Sequence, residues 1–393
     1  MNYINNPTFV FTFMVSILAI IFFLNEQKKI KPLFKYLPPV IWAYFIPMFF
    51  TNINILPSSS PLYSWSKTYL LPASLVLLLS SCNIKLIKNL GFKAILTMLI
   101  GTLGIIIGAT FSFMIFKNYL PMDSWKGVAA LSGSWIGGSQ NMIAVGKSIG
   151  TPDELFGNMI VIDTIVGYGW MGIVIFLSGY QDKLDKWNNA DKSVLKLIES
   201  KILDDKLTNP VKKTDFKHII FIIALSFFCT VISITIGNIL PEGKIINNFG
   251  WSIILITAIG ISLSFTNISK LNQVGSSHVG NFFLYILIAT IGAQANITSL
   301  ASLPYFVLLG IVWIIIHAII LFIGGRYLRV PMFLIATSSQ ANIGGVVSAP
   351  IVASVYNKSL APVGLLMGIL GNIIGIYFAL FTASILKYVD NLF

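Results

Sequence analysis

The sequence predicts an all-α, multi-pass membrane protein of about 11–13 transmembrane helices in two inverted repeats, with discontinuous crossing helices at 125–148 and 332–355. Three observations predict it. Of 393 residues, 56% are hydrophobic and only 10% charged, against about 25% charged in an ordinary soluble domain. Long apolar windows follow one another along the chain. A polar, glycine-rich tract interrupts that pattern once in each half.

The apolar windows are 8–24, 39–55, 70–82, 94–116, 155–177, 219–240, 251–265, 281–295, 305–323 and 363–386. Most approach the roughly 20 apolar residues that cross a hydrocarbon layer about 30 Å thick. They are continuous rather than alternating, which excludes an outer-membrane barrel. With the two glycine-rich tracts the count is about twelve, and eleven or thirteen fit as well. The first window lacks a basic head and a small-residue cleavage site, and EQKKIK follows it. It reads as a retained helix whose start lies outside, not as a removed signal. The formal charge of +12 comes largely from lysines at helix ends, where cytoplasmic loops and anionic lipid account for them. No basic module for nucleic acid is present. Cys82 and Cys229 are far apart, so neither a zinc site nor a disulfide framework is expected.

The one long hydrophilic interval, 181–217, divides an N-terminal membrane repeat (1–180) from a C-terminal one (218–393). Within this linker Asp191 can cap an amphipathic helix with Val194, Leu195, Ile198 and Ile202 on one face, lying at the membrane surface. The two halves share an order of features. NIKLIKNLGFKAIL from Asn83 parallels NITSLASLPYFVLL from Asn296; WIGGSQNMIAV from Trp135 parallels NIGGVVSAPIV from Asn342; VIDTIVGYG from Val161 parallels ILGNIIGIY from Ile369. Lys85, Lys88 and Lys93 follow the first NI motif, whereas in the second half the basic residues, Arg326 and Arg329, come one loop later. That distribution inverts one copy against the other. A count of twelve conflicts with it, because six crossings between the matched elements leave them parallel.

The tracts themselves are the candidate site. In the first, Gly137 and Gly138 lie among Ser134, Ser139, Gln140 and Asn141; in the second, Gly344 and Gly345 lie among Ser338, Ser339, Gln340 and Asn342. Interior glycines cost a helix about 1 kcal/mol each relative to Ala, and lipid does not solvate the polar side chains. Unwound backbone at membrane depth is tolerated where it lines a cavity, and paired breaks in two halves point to a transport site. Small residues also serve close packing, which suffices for Gly101, Gly104, Gly108, Gly368 and Gly371. It does not explain Gln and Asn flanking both glycine pairs.

Asp163 stands alone among acids in its apolar window. A carboxylate at that depth costs roughly 2.5–3.5 kcal/mol on insertion scales and commonly marks an ion or proton path. It is expected to hold a coupling Na⁺ or H⁺ with Thr164, Gln140, Asn141, Gln340 and Asn342; no other metal and no cofactor is expected. The glycine pairs with Ser134, Ser139, Ser338, Ser339 and Asn372 are expected to bind solute. A hydrogen-bonded structural Asp is the alternative. His317 can relay protons or satisfy a carbonyl. Asn83 and Asn296 can end their helices, Gln294 can line the cavity, Asp153 and Glu154 suit a helix's first turn, and Lys147 can snorkel to headgroups.

The run WIGGSQNMIAVGKSIGTPDELFGNMIVIDTIVGYGWMGIVIFLSGYQDKLDKW, with SSQANIGG in the second half, resembles the YjcL-like family of uncharacterised multi-pass membrane proteins. That resemblance covers nearly the whole chain. It implies a place within the inverted-repeat secondary transporters, a group that includes bile-acid/sodium symporters, sodium/proton antiporters and sodium–glutamate symporters. There two discontinuous helices cross in a mobile core that moves against a scaffold. The Asp-Asp pair of some antiporters is absent, since Thr164 follows Asp163.

These readings converge on a secondary transporter in the cell (inner) membrane that moves a small polar or anionic solute, coupled to Na⁺ or H⁺. A cation/proton antiporter or a channel is the alternative. The lipid bilayer and the solute are its expected partners, and a homodimer is compatible with the sequence. No HExxH, GxSxG or Walker A motif supports an enzyme or an ATP-driven pump.

Overall fold

The computed structural model describes residues 6–36, 39–81, 87, 90–191, 214–243, 247–294, 303–357 and 360–392. Asn83, Asn296, Lys85, Lys88 and the amphipathic helix expected from Asp191 to Ile202 lie outside the described residues, apart from Asp191 itself. The described residues form helices joined by short turns and extended stretches, with no strand among them. The protein is an all-α, multi-pass membrane protein.

Among the described residues six helices are long and apolar enough to cross a membrane, or seven if the bent pair Asn248–Ser264 and Asn267–Val274 is one span. In chain order the helices begin with α1 (Pro7–Glu26), α2 (Lys31–Tyr36), α3 (Pro39–Asn52), α4 (Pro61–Trp65) and α5 (Leu71–Ser80). A π turn, Ser66–Leu70, joins the last two. Next come α6 (Gly91–Phe116), α7 (Ser124–Gly137), α8 (Ser139–Ser148), α9 (Asp153–Phe176) and α10 (Gln181–Trp187). After the linker follow α11 (Phe216–Gly237), α12 (Asn248–Ser264), α13 (Ser276–Gly292), α14 (Leu303–Tyr327), α15 (Met332–Ile343), α16 (Gly345–Tyr356) and α17 (Ala361–Leu392). Local chemistry sets several boundaries. Asn6 accepts from the N–H of Thr8 ahead of Pro7 at the first helical position, and Asp215 and His218 close a capping box on α11.

Both glycine-rich tracts are broken where the sequence places them, at Gly138 and Gly344. The structure adds that each tract reverses direction. A straight helix of 25 residues would hold its ends roughly 36 Å apart, yet the Thr151 hydroxyl just beyond α8 donates to the carbonyl of Lys126 in the first turn of α7, 3.3 Å away. A methyl on Gly133 would lie 2.9 Å from the carbonyl of Asn141. In the second tract the rings of Phe333 and Tyr356, at the start of α15 and the end of α16, are 6.3 Å apart. Each tract is therefore a helical hairpin that enters and leaves at one end of the molecule, not a helix running through.

The hairpins open at opposite ends. At the linker end, Asp191 pairs with Lys93 at 3.0 Å, Arg326 donates to the carbonyl of Trp187, and the N–H of Met332, which starts α15, bonds Asp185 at 2.7 Å. At the other end, Lys117 pairs with Asp390, Tyr119 stacks on Tyr305, and the N–H of Asn247 bonds the carbonyl of Ser148, the last residue of α8. Because a hairpin returns to its own side, it does not count as a crossing, and the conflict between lysine distribution and span count disappears.

Two bundles result. One packs α6, α9, α14 and α17 around the hairpins; the other packs α3, α5, α12 and α13, with α1 and α11 outside. Each bundle draws helices from both halves of the chain.

Candidate functional site

The hairpin tips meet deep in the first bundle. Gly138 has φ +95° and Gly345 φ +59°, left-handed values that glycine adopts without strain. A methyl on Gly345 would sit 3.6 Å from the Cα of Gly138. The backbone breaks at this point, where unpaired N–H and C=O groups would cost several kcal/mol in lipid. A cavity of about 540 Å³ takes their place, lying between the two bundles.

From the hairpin bundle the cavity is lined by Ser134, Gly138, Ser139, Gln140, Asp163, Thr164, Gln340, Gly344, Gly345 and Asn372, all expected from the sequence. Ser348, Gly167 and Tyr168 join them, and Pro39, Ser81, Asn272, Ser277, Asn281 and Tyr285 come from the second bundle. These were not foreseen. A single Asn or Tyr in an apolar window carries no signal of its own, and only the packing of the second bundle brings them to the site.

Asp163 sits on α9 facing α7. Its two carboxylate oxygens accept from the Ser134 hydroxyl and the Trp135 indole N–H, each at 2.9 Å. Indole can only donate, so Oδ1 is an acceptor. Two charge-assisted bonds of roughly 1.5–3 kcal/mol each are enough to offset an insertion penalty of roughly 2.5–3.5 kcal/mol. Among the described residues no other acidic or basic side chain lines the cavity.

Five expected residues lie elsewhere. Gly137 packs its Cα against the carbonyl of Gly371, and Asn141 donates to the carbonyl of Asn372. Asn342 is wholly buried; its carbonyl accepts from Thr102 at 2.9 Å and its amide reaches the carbonyls of Met98 and Ser338. Ser338 is buried in the same turn of α15. Ser339 accepts from the Trp170 indole at 2.8 Å and bonds His317 at 2.9 Å. His317 spends its other ring nitrogen on the carbonyl of Gly101, so it fills the structural role among its two expected ones. The Thr164 hydroxyl donates to its own helix, at Ile160.

The other end of the bundle interface is closed by ions. Lys67, in the π turn, donates to the Asp153 carboxylate at 2.6 Å and to the side-chain oxygen Oε1 of Gln294 at 2.7 Å. Lys147 pairs with the second oxygen of Asp153, and the Tyr44 hydroxyl donates to the Asp153 carbonyl. Lys147 thus turns inward, with its side chain only 12% exposed, instead of reaching toward headgroups. Gln294 belongs to this cluster and not to the cavity wall. Asp153 does lie in a first helical turn, as its sequence context implies.

A family model described as "Protein of unknown function (DUF819)" matches residues 12–389. The uncharacterized membrane protein YjcL of Bacillus subtilis (strain 168) is 25% identical over 355 residues, covering 86% of this chain and 87% of its own. A match that takes in both hairpins, both bundles and the linker between them makes this chain a member of the DUF819 family.

Proposed function

We propose that this protein is a secondary active transporter of a small polar solute, driven by Na⁺ or H⁺ across the cell membrane. The observation that carries the reading is the meeting of two hairpin tips at a cavity whose one carboxylate among the described residues is that of Asp163. The two halves act as inverted repeats: one hairpin opens at each end, and α6 and α14 run in opposite senses between those ends. Lys93, Arg326 and Arg329 gather at the linker end, and the sequence 181–217 adds nine lysines there, against Lys67, Lys117, Lys126 and Lys147 at the other end. The linker end is therefore cytoplasmic by charge.

In this cycle the driving cation binds at Asp163 and solute binds at the hairpin tips. The hairpin bundle then moves against the other, which serves as scaffold. The Lys67–Asp153–Lys147 cluster bridges the two bundles at the end away from the linker, so it is the seal that must open on the return stroke. That seal also favours alternating access over an open channel. The chain needs no cofactor and does no covalent chemistry in this reading.

Proteoliposomes loaded with buffer and given a labelled metabolite extract test it. Wild-type protein accumulates at least one compound above the outside concentration when a Na⁺ or proton gradient is imposed, and Asp163→Asn abolishes accumulation while preserving yield and melting temperature. Equilibration without accumulation, unaffected by the gradient, would mean a passive pore.

A further inference from the structure

The hydrogen-bonding inventory of the cavity says what should fill it. Helices α8 and α16 both start at the hairpin tips, and no side chain caps either start. The first N–H groups of a helix have no partner within it and carry a partial positive charge. Ser139, Gln140, Gly345 and Val346 set both starts on the cavity wall. In the last turns of α7 and α15, the carbonyls of Ile136 and Ala341 turn toward α17. A methyl on Gly371 of α17 would meet the carbonyl of Ile136 at 2.4 Å and that of Ala341 at 3.4 Å. The cavity sees two positive helix ends, while these two carbonyls of the negative ends face α17.

Two glutamines complete the inventory. The Gln140 Nε2 is buried without an acceptor, and the Gln340 Oε1 is buried without a donor. Gln340 is 2% exposed, and its own Nε2 is held by the Ser348 hydroxyl at 2.9 Å. Unmet buried groups cost about 1–3 kcal/mol each, which a ligand supplying one acceptor and one donor relieves. Charge narrows the choice. Once a cation neutralises Asp163, no formal charge remains on the described wall; a cationic solute would then face two positive helix starts with no counter-charge, and a bare anion would leave the buried Gln340 Oε1 without its donor.

We infer that the solute is a small zwitterion of the amino-acid type. Its carboxylate lies across the starts of α8 and α16 and accepts from Gln140 Nε2; its ammonium donates to Gln340 Oε1. This rests on the cavity being the solute site of the proposed transporter.

Purified full-length protein in lipid nanodiscs with NaCl is titrated with the L-amino acids at millimolar concentration, reading thermal stabilisation. Each amino acid is compared with its amide, which lacks the carboxylate, and its 2-hydroxy acid, which lacks the ammonium. At least one amino acid should raise the melting temperature, with both analogues binding tenfold more weakly or worse. Gln140→Glu places an acid in the first turn of α8, where it suits the helix but repels a carboxylate; it should keep the melting temperature and lose the ligand shift. Stabilisation by sugars or nucleosides but no amino acid overturns the inference, as does an amide that binds like its parent or the absence of any amino-acid shift. The two readings separate cleanly. Amino-acid binding without accumulation in proteoliposomes leaves the zwitterion and removes the transporter, and accumulation of an uncharged solute does the reverse.

Discussion

The two hairpins carry similar sequences and use them differently. In the first, Ser134, Ser139 and Gln140 face the cavity, and Ser134 holds Asp163. In the second, Ser339 and Asn342 turn backward and tie α15 to Trp170, His317, Thr102 and Met98. Only Gln340 and Ser348 of its polar side chains reach the cavity. Polar residues at membrane depth thus serve two ends: some line the cavity, and others fasten a hairpin to its bundle. The lesson is that polarity alone marks depth and not purpose. Direction around the helix decides which role a residue takes.

The contrast can be broken in order of expected effect. Asn342→Leu removes three hydrogen bonds inside the bundle and should cost about 2–4 kcal/mol of stability, read as a lowered melting temperature, with ligand affinity per folded molecule unchanged. Ser339→Ala strands the Trp170 indole and one His317 nitrogen; about 1–3 kcal/mol is expected, again without loss of affinity. At the tip, Gly345→Ala forces a side chain into a left-handed conformation at a cost of about 1–3 kcal/mol, and should weaken binding as well because the start of α16 shifts. Ser139→Ala should change stability by less than about 0.5 kcal/mol and alter only ligand affinity. Were Ser139→Ala to destabilise the fold as much as Asn342→Leu, the two hairpins would not differ in use.

A second contrast, between the two ends of the bundle interface, is open to the same treatment. Asp153 sits between Lys67 and Lys147, so Asp153→Asn leaves two cations facing each other across the bundle interface. With Cys82→Ser and Cys229→Ser as background, Ser348→Cys reports on the cavity. A membrane-impermeant thiol reagent added at the Asp153 end should label it faster when Asp153→Asn is present. Equal labelling would show that the cluster does not govern access.

Much of this was legible in the chain. Apolar windows give helices because lipid leaves the backbone no other partner. The breaks at Gly138 and Gly344 follow from glycine pairs in polar surroundings, and Asp163 shows itself as a lone acid at depth. Lys67 and Asp153 were not paired in advance, because a lysine near Ser66 and an acid after Pro152 look like ordinary helix-end residues until two bundles press them together.

The amino-acid order by itself determined the solvent, the helices, the places where two of them break and the position of the buried carboxylate. These depend on composition within a few turns of chain. Only the tertiary structure decided that each broken segment turns back on itself, that Asn342 faces away from the cavity while Gln340 faces into it, and that Lys147 points inward. The physical reason is that a hydrogen bond's partner, or a charge's counter-ion, comes from a segment far along the chain, and no local pattern encodes which segment will be near.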